Sequence, residues 1–146
     1  MDTGAGPETT PFQHTANLLP DGTVLVAGGF GPLATSLSSA EIYHPANDAW
    51  LATAPLSNAR GYHAATSLPS GKILVCGGVN ETGALASAEI YNFRKRIWIA
   101  APEMNEARVL LTVERLSNGQ ALAVGGQNGS IRLSSAELFD PSAIGE

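Results

Sequence analysis

Three glutamates recur along the chain at a fixed spacing and could supply acid–base chemistry. Glu41, Glu89 and Glu137 are 48 residues apart, and each lies between an alanine and an isoleucine or leucine. Hydrolysis by paired carboxylates requires two of them to converge across a substrate, about 5 to 9.5 Å apart. Because the same residue returns in every unit, we interpret it as part of the scaffold, where a partly buried carboxylate needs hydrogen-bonding partners. Candidate partners are Arg60, Arg108 and the backbone N–H groups of nearby double glycines.

The three histidines and the single cysteine are the other candidates for catalysis or metal binding, but their spacing matches no metal-ligand pattern. His14 and His63 occupy one repeat position, where the third unit carries Leu111, so both are expected to be core imidazoles. His44 lies between a tyrosine and a proline, as expected for a solvated turn. Cys76 is replaced by apolar residues in the other units and is expected to be a small buried hydrophobe. We therefore predict no catalytic residue, no metal and no cofactor.

The composition of the chain narrows the classes of partner. Its 146 residues are 44% hydrophobic and 14% charged, with a formal net charge of −5, which argues against a basic surface that tracks nucleic acid. The first residues lack the basic and apolar regions of a signal peptide, and glycines and a proline interrupt the longest uncharged stretch. These features predict a folded domain without nucleic-acid or membrane partners, cytoplasmic by default.

Internal repetition extends beyond the glutamates and predicts the secondary structure. Double glycines occur at 28–29, 77–78 and 125–126, and Trp50 and Trp98 are 48 residues apart. Short apolar runs bounded by Gly, Pro, Asn and Asp indicate strands, and no stretch of ten residues has a helical period with caps. Each unit therefore predicts a four-stranded antiparallel meander. The strands are expected near 13–19, 62–68 and 109–116, at 24–27, 73–76 and 121–124, in the Ala-Glu-Ile-Tyr-like runs, and around Trp50 and Trp98.

Glycines at two kinds of position can be interpreted physically. Gly22, Gly71 and Gly119 lie in the turn between the first two strands and are expected to supply the positive φ of a tight hairpin. The double glycines could belong to a phosphate-cradling loop, but no helix follows them and the Gly-x-x-x-x-Gly-Lys-Ser/Thr pattern is absent. We predict instead that they mark a bulge or a close approach of backbone.

A four-stranded repeat of about 48 residues with a double glycine after its second strand resembles the kelch motif, whose period is near 50. The aromatic residues Tyr43, Tyr91 and Phe139 and the tryptophans carry the resemblance, which covers roughly residues 7 to 141 and looks most like kelch proteins of bacterial type. It implies an all-β fold, a kelch-type β-propeller unit of three four-stranded antiparallel blades. The expected boundaries are a fourth-strand remnant at 2–11, blade one at 12–54, blade two at 55–102 and blade three at 103–141, whose fourth strand is missing.

The resemblance also implies where a ligand would bind. In kelch proteins the loops between the second and third strands share one face with the loops between blades, and that face commonly binds a partner. The loops of this chain differ between units and carry aromatic, amide and charged residues typical of binding surfaces. We therefore expect a non-catalytic scaffold for a protein, peptide or glycan. The candidate binding residues are Phe30, Arg60, Tyr62, Asn80, Glu81, Arg108, Asn128 and Arg132.

Two alternative functions remain open. Galactose oxidase is a copper enzyme on a similar propeller, and the chain could be a fragment or subunit of such an enzyme. That chemistry needs tyrosine and histidine ligands with a Tyr–Cys crosslink, whereas Tyr43 and Tyr91 hold repeat positions here. The chain could also be a structural piece of a larger propeller with no separate activity.

The number of blades raises the question of how the ring closes. Propellers usually need four to eight blades, so three are expected to be incomplete alone. We predict that two chains pair under two-fold symmetry into a six-bladed ring, each N-terminus completing the third blade of the other. The same pattern would arise in a piece of a larger propeller.

Overall fold

The structure, a computed structural model, describes residues 6–7 and 11–145. Three antiparallel sheets follow one another along the chain. Sheet one contains β1 (Thr15–Leu18), β2 (Val24–Ala27), β3 (Ala40–His44) and β4 (Ala49–Ala52). Sheet two contains β5 (Ala64–Ser67) and β6 (Ile73–Cys76), followed, after a hairpin of β7 (Val79–Asn80) and β8 (Gly83–Ala84), by β9 (Ala88–Asn92) and β10 (Ile97–Ala101). Sheet three contains β11 (Thr112–Arg115), β12 (Ala121–Val124) and, after a hairpin of β13 (Gln127–Asn128) and β14 (Ile131–Arg132), β15 (Ala136–Phe139).

The all-β prediction and the antiparallel strand pattern are confirmed. Neighbouring strands within each sheet pair in chain order, and the described residues contain 3₁₀ turns at Pro32–Ala34 and Pro141–Ile144 but no α-helix. None of the described helices is long and apolar enough to cross a membrane. The loops between the second and third strands of sheets two and three contain the short hairpins β7–β8 and β13–β14, which the sequence pattern did not predict. Most of the expected strand remnant at 2–11 lies outside the described residues.

Side chains alternate across each strand, so the middle sheet packs an apolar face on each neighbour. Leu25 and Ile42 of sheet one pack with Val75 of sheet two, whereas Leu74 and Ile90, from the other face of sheet two, pack with sheet three. Burial of such a side chain contributes roughly 1.5–3 kcal/mol. Two apolar cores, one between each pair of sheets, therefore hold the array together.

Glycine is required where one sheet approaches the next. Gly28 and Gly77 have φ of 67° and 68°, and a Cβ atom there would lie 2.6 Å from the carbonyl oxygen of Arg60 and 2.5 Å from that of Arg108, respectively. The next glycine of the first pair, Gly29, donates its N–H to the same Arg60 oxygen at 2.7 Å. The double glycines thus have the predicted structural role of close backbone approach. Gly22, Gly71 and Gly119 also have the expected positive φ, 83–89°.

The two ends of the array differ from its middle. His63 is buried, as predicted, with its Cε1 atom 2.8 Å from the Cβ position of Gly28 in sheet one. The prediction that His14 is a core imidazole is wrong, because His14 is exposed: no sheet of the described chain packs on that side of sheet one. At the other end, a Cβ atom on Gly125 would have only the Leu133 carbonyl within 4 Å, at 3.6 Å. The contact between a double glycine and the next sheet is therefore absent at sheet three within the described chain.

Candidate binding face

One face of the array collects two sets of loops. The loops between the second and third strands of each sheet cover residues 28–39, 77–87 and 125–135, and those between sheets cover 53–63 and 102–111. Isolated β-bridges join the two sets, from Gly61 to Val79 and from Val109 to Gln127, and a third bridge joins Phe30 to Phe12, in the segment 11–14 before β1. These segments form what we call the loop face, in the arrangement that the sequence led us to expect.

A buried arginine fixes each loop between sheets. Arg60 has no exposed surface; its Nη1 donates to the carbonyl oxygen of Gly77 at 2.7 Å, and its Nη2 donates to Ser87 Oγ and to Glu89 Oε2, both at 3.0 Å. Glu89 also accepts the backbone N–H of Ser57 at 2.7 Å. Burial lowers the pKa of Arg60, and the neighbouring Glu89 carboxylate opposes that shift.

The same network returns in sheet three. Arg108 donates to the Gly125 carbonyl at 2.8 Å and to Glu137 Oε2 at 3.1 Å, and Glu137 accepts the N–H of Asn105 at 2.5 Å. The predicted partnership is confirmed for Glu89 with Arg60 and for Glu137 with Arg108. The double-glycine segment contributes differently from the prediction, since its carbonyl oxygens accept from the arginine.

These contacts bear on two of the candidate binding residues. The side chains of Arg60 and Arg108 are 0% and 1% exposed and point into the sheets. Their guanidinium groups hold the loops in place and do not face solvent. We therefore assign them to the scaffold that positions the loop face, and not to its surface.

Three aromatic rings meet on the loop face. The ring centroid of Phe30 lies 5.5 Å from that of Phe12 and 5.4 Å from that of Tyr62. Phe30 rests on Gly61, where a Cβ atom would lie 2.1 Å from its ring, and Phe12 is 47% exposed. We call Phe12, Phe30 and Tyr62 the aromatic cluster. Phe30 and Tyr62 were candidates from the sequence; Phe12 was not, although it lies one repeat before Gly61 and could have been found as an aromatic outlier at that position.

The family of the chain can now be stated from a comparison with known proteins. A family model of the kelch motif matches residues 15–57 and 60–105, more than half of the chain. The chain belongs to the kelch-repeat family. The matched segments contain sheets one and two, whose four antiparallel strands fit kelch blades. A comparison with curated proteins gives no match.

Two other candidate residues, Asn80 and Glu81, hydrogen-bond the loop 77–87 of sheet two to neighbouring loops. Asn80 donates its side-chain amide to the Ala59 carbonyl at 3.1 Å and accepts the N–H of Thr82 at 2.8 Å. Glu81 accepts the backbone N–H of Ser36 at 2.8 Å and also its hydroxyl group. These hydrogen bonds lower the pKa of Glu81. Glu81 is exposed, so it links the loops of sheets one and two at the surface.

Asn128 and Arg132 lie on the hairpin of sheet three. Both side chains are exposed, and so is that of Ile131, which pairs with Asn128 across the hairpin. Gln127, in the same strand as Asn128, forms a bridge with Val109, and Leu110 donates its N–H to the Tyr62 carbonyl at 3.0 Å. The hairpin therefore belongs to the same face as the aromatic cluster, at the far end of the array.

Cys76 and Tyr91 are buried inside the kelch sheets, whereas Tyr43 is half-buried. Burial raises the pKa of the Cys76 thiol to about 12, so it behaves as the small buried hydrophobe predicted. The tilted rings of Tyr43 and Trp50 are in contact, with centroids 5.1 Å apart, and Tyr91 shares a hydrogen bond with Thr53 at 2.6 Å. Among the described residues no three His, Cys, Asp or Glu side chains cluster as they would around a metal ion.

Replacing Glu81 with glutamine is expected to loosen the loop of sheet one. The folded-state pKa of Glu81 is below 4.5, so its contribution is present above pH 4.5 and is lost as the pH falls through the folded value. The protection factor of the Ser36 amide should be several-fold lower in E81Q at pH 7, and the fall in protection that the native chain shows between pH 5 and 3 should be absent from this variant. The exposed Glu114→Gln is the control. Equal protection of Ser36 in both variants would contradict the role of this link.

Replacing His63 with leucine, the residue that sheet three carries at this position, is expected to reduce acid sensitivity. Burial, with a smaller contribution from Arg60, lowers the pKa of His63 to about 3, while Thr15 Oγ1 lies 3.0 Å from its Nε2. The unfolded chain therefore binds an extra proton below about pH 6.5, and stability is lost as the pH falls through that window.

In the native chain, the protonation equilibrium of His63 should lower the free energy of unfolding by about 2.5 kcal/mol when the pH falls from 7 to 4.5. In H63L the same interval should cost less than about 0.5 kcal/mol from this position. Urea unfolding at the two pH values measures both losses. Parallel losses in the native chain and in H63L would show that His63 does not control acid sensitivity.

Proposed function

We propose that the chain is a non-catalytic kelch scaffold that binds a protein or peptide through the aromatic cluster of its loop face. The observation that carries the proposal is the contact among Phe12, Phe30 and Tyr62, at 5.5 and 5.4 Å between ring centroids. Aromatic residues are enriched among binding hot spots because they bury a large area at low entropic cost. A rigid array of sheets that presents such a cluster on loops is suited to recognition.

The repeat supports this assignment. At the position of Phe12 the other units carry Gly61 and Val109, and at the position of Tyr62 they carry Gln13 and Leu110. A residue that every blade needs for packing would recur, as the glutamates and the double glycines do. The aromatic cluster does not recur, so blade packing does not require it.

The surroundings of the cluster favour an apolar protein segment over a glycan. Leu33 is 98% exposed on the loop of sheet one, and Leu110 and Ile131 are also exposed on this face. Apolar side chains collected on one side of a folded domain are typical of surfaces that bind proteins. Arg132 and Asn128 supply polar groups at the margin of this face.

A selection experiment tests the proposal. The full chain is used to select from a displayed library of random 12-residue peptides, and the selected peptides are then measured against F12S/Y62Q, in which glutamine is the residue of the first unit. We expect at least tenfold weaker binding to this variant and unchanged binding to Ser70→Arg, a change in a turn at the opposite end of the strands. Peptides that bind both variants equally, or a chain that selects only glycans from an array, would contradict it.

We also propose that two copies of the chain close one ring of six blades. The support lies on the outer face of sheet three, formed by Leu122, Val124, Ala136 and Leu138. Leu138 is 58% exposed, whereas Ile42 and Ile90, at the same position of sheets one and two, are 7% and 0% exposed. We call these four residues the open face.

The second copy is favoured as the occupant because it carries the matching surface. At both interfaces within the chain, a side chain that precedes the first strand of one sheet packs on a glycine of the sheet before. His63 packs on Gly28, and Leu111 packs on Gly77. His14 is the exposed residue at that position of sheet one, and Gly125 is the glycine that meets no following sheet. Packing His14 of a second copy on Gly125 would repeat an interface that already occurs twice in the chain.

Sedimentation equilibrium tests this second proposal. The native chain should be a dimer at micromolar concentration, and Leu138→Glu should shift it to monomer. Leu33→Glu, an equally drastic change on the loop face, should leave the dimer intact. A native chain that stays folded and monomeric at 50 µM would contradict ring closure, with no bearing on the loop face.

A further inference from the structure

The turn between β9 and β10 carries three consecutive cations, Arg94, Lys95 and Arg96, which we call the basic turn. All three residues are exposed, and among the described residues none of them forms an ion pair with a carboxylate. The chain has eight lysines and arginines in all, of which Arg60 and Arg108 are buried. Half of the remaining cations of an acidic chain therefore lie in this one turn.

The basic turn lies at the end of the strands opposite the loop face. β9 runs from the loop face towards this turn, and β10 returns from the turn to the loop face. Ser70 and Lys72, around the turn between β5 and β6, line a depression beside Phe93 and the basic turn. The basic turn is thus separate from the aromatic cluster and from the loops that carry it.

Comparison of the three units shows that the fold does not require cations at this place. Unit one and unit three also form a turn there. The residues that correspond to 94–96 are Ala46, Asn47 and Asp48 in unit one and Ser142, Ala143 and Ile144 in unit three. A charge that blade packing required would recur, as the buried arginines between the sheets do. The three cations are therefore a property of sheet two alone.

The backbone of Arg96 is in a conformation that arginine rarely adopts. Its φ is 54°, and Asp48, at the same position of sheet one, has a φ of 51°. Aspartate and asparagine adopt a positive φ more readily than other non-glycine residues, because their short side chains can bond to the local backbone. Arg96 thus occupies a position where an aspartate is easier to accommodate. Backbone strain of this kind is concentrated at functional sites.

Hydrogen bonds and packing order the basic turn. Asn92 accepts the N–H of Arg94 at 3.1 Å and that of Lys95 at 3.2 Å through its Oδ1 atom. Phe93 packs against the core between sheets one and two, and the guanidinium carbon of Arg94 lies 5.5 Å from its ring centroid. A partner would therefore meet charges whose backbone is already ordered, which lowers the entropic cost of binding.

Protection of the edge strand β10 is another role that these cations could have, since charged side chains discourage pairing between exposed edges. β4 is the corresponding outer strand of sheet one. Its Leu51 is 52% exposed, compared with 36% for Ile99 at the same position of β10. The turn before β4 nevertheless contains no lysine or arginine. Edge protection therefore does not explain three like charges beside the less exposed strand.

The surroundings of the basic turn favour carboxylates of a protein segment over an extended polyanion. The turns at the same end of sheets one and three carry the exposed residues Asp48 and Asp140. A nucleic acid or an anionic membrane that covered this end would meet these negative charges on either side of the basic turn. A phosphate group would compete with Asn92 for the backbone N–H groups of the turn. A short acidic segment needs only the side chains.

We propose that the basic turn binds a short acidic segment of a partner protein, whose neighbouring aspartates or glutamates pair with Arg94, Lys95 and Arg96. An arginine guanidinium pairs with a carboxylate through two parallel hydrogen bonds, which adds directional specificity to the attraction between charges. The basic turn is a second interaction surface, at the opposite end of the strands from the aromatic cluster. One chain can then contact two partners, or two parts of one partner.

A matched pair of peptides tests the inference. The labelled peptide Gly-Ser-Glu-Glu-Asp-Glu-Gly-Ser, and the same peptide with glutamine and asparagine for its acidic residues, are each titrated with the full chain, and binding is followed by fluorescence anisotropy. We expect saturable binding of the acidic peptide alone, weakened about tenfold when the salt concentration rises from about 50 to 500 mM. No saturation up to about 1 mM at the lower salt concentration, or equal binding of the neutral peptide, would overturn the proposal.

An exchange of turns locates the site. R94A/K95N/R96D gives sheet two the turn residues of sheet one, whose φ at the last position is nearly the same, so the variant should fold and unfold at the same temperature as the native chain. It should bind the acidic peptide at least tenfold more weakly. Arg115→Asp, at an exposed arginine of β11, should bind it within about twofold of the native chain. Equal binding by the exchanged variant and the native chain would overturn the assignment.

Other anions test the choice of partner. A phosphoserine peptide of the same length, a single-stranded DNA and phosphatidylcholine vesicles with about 30% phosphatidylserine are compared with the acidic peptide at one salt concentration. Tighter binding of any of the three would overturn the assignment to an acidic protein segment. The proposal is independent of the loop face, so F12S/Y62Q should bind the acidic peptide normally, and the two surfaces can fail their tests separately.

Discussion

Replacing Arg60 with methionine is expected to lower the free energy of unfolding by about 3–5 kcal/mol, the cost of leaving a buried charge without its partner. The side chain of Glu89 is only 4% exposed, and it would keep the N–H groups of Ser57 and Asn58 but lose the guanidinium. The carbonyl oxygens of Gly77 and Ser87 would lose a donor as well. Urea unfolding followed by tryptophan fluorescence measures the loss.

Two comparisons make the result specific to the buried pair. Arg115→Met, at an exposed arginine of β11, should change stability by less than about 0.5 kcal/mol. The double variant R60M/E89M should recover part of the loss, because it removes both charges. A loss below about 1 kcal/mol for R60M would mean that the pair does not hold the loop.

The equivalent substitution in the next loop, Arg108→Met, is expected to lower the free energy of unfolding by less. The side chain of Glu137 is 14% exposed, so its charge retains some contact with water when Arg108 is replaced. Arg108→Met should therefore fall below Arg60→Met in the same unfolding measurement. The reverse order would contradict the importance of burial at this position.

Replacing Gly77 with alanine is expected to cost about 3 kcal/mol or more, because the added Cβ would lie 2.5 Å from the backbone oxygen of Arg108 at a positive φ. Gly125 has the same place in the repeat and a similar φ of 65°. Its Cβ position meets only one atom, at 3.6 Å. Gly125→Ala should therefore cost only about 1 kcal/mol in the monomer.

The comparison of these two alanines separates packing from backbone strain. Both variants are unfolded with urea at a concentration where the native chain is monomeric. Equal losses of unfolding free energy would show that the positive φ alone explains the need for glycine, and that close packing of the next sheet contributes nothing. At higher concentration G125A should also lose the proposed dimer, since its Cβ would meet the second copy.

Much of the fold was predictable because the repeat marks its own boundaries. The second strand of each unit falls at the residues predicted, 24–27, 73–76 and 121–124, since a turn glycine precedes it and a double glycine follows it. The hairpins β7–β8 and β13–β14 were missed. Their strands are two residues long, too short to show an alternating pattern.

The repeat also allowed the partners of the glutamates to be predicted, but not the surroundings of single residues. Arg60 looks like a loop residue in the sequence, and only the folded array shows that its side chain turns inward. The prediction that His14 is buried was wrong for a related reason. Equivalence with His63 assumes a sheet on each side, and sheet one has none on that side within the described chain.

The measurement that tests the central proposal most directly is a map of amide chemical-shift changes in the ¹⁵N-labelled chain on binding of a selected peptide. The proposed recognition by the loop face predicts changes centred on Phe12, Phe30 and Tyr62 and their neighbours. Changes centred on the opposite turns, around Gly22, Gly71 and Gly119, with the loop face unchanged, would contradict it.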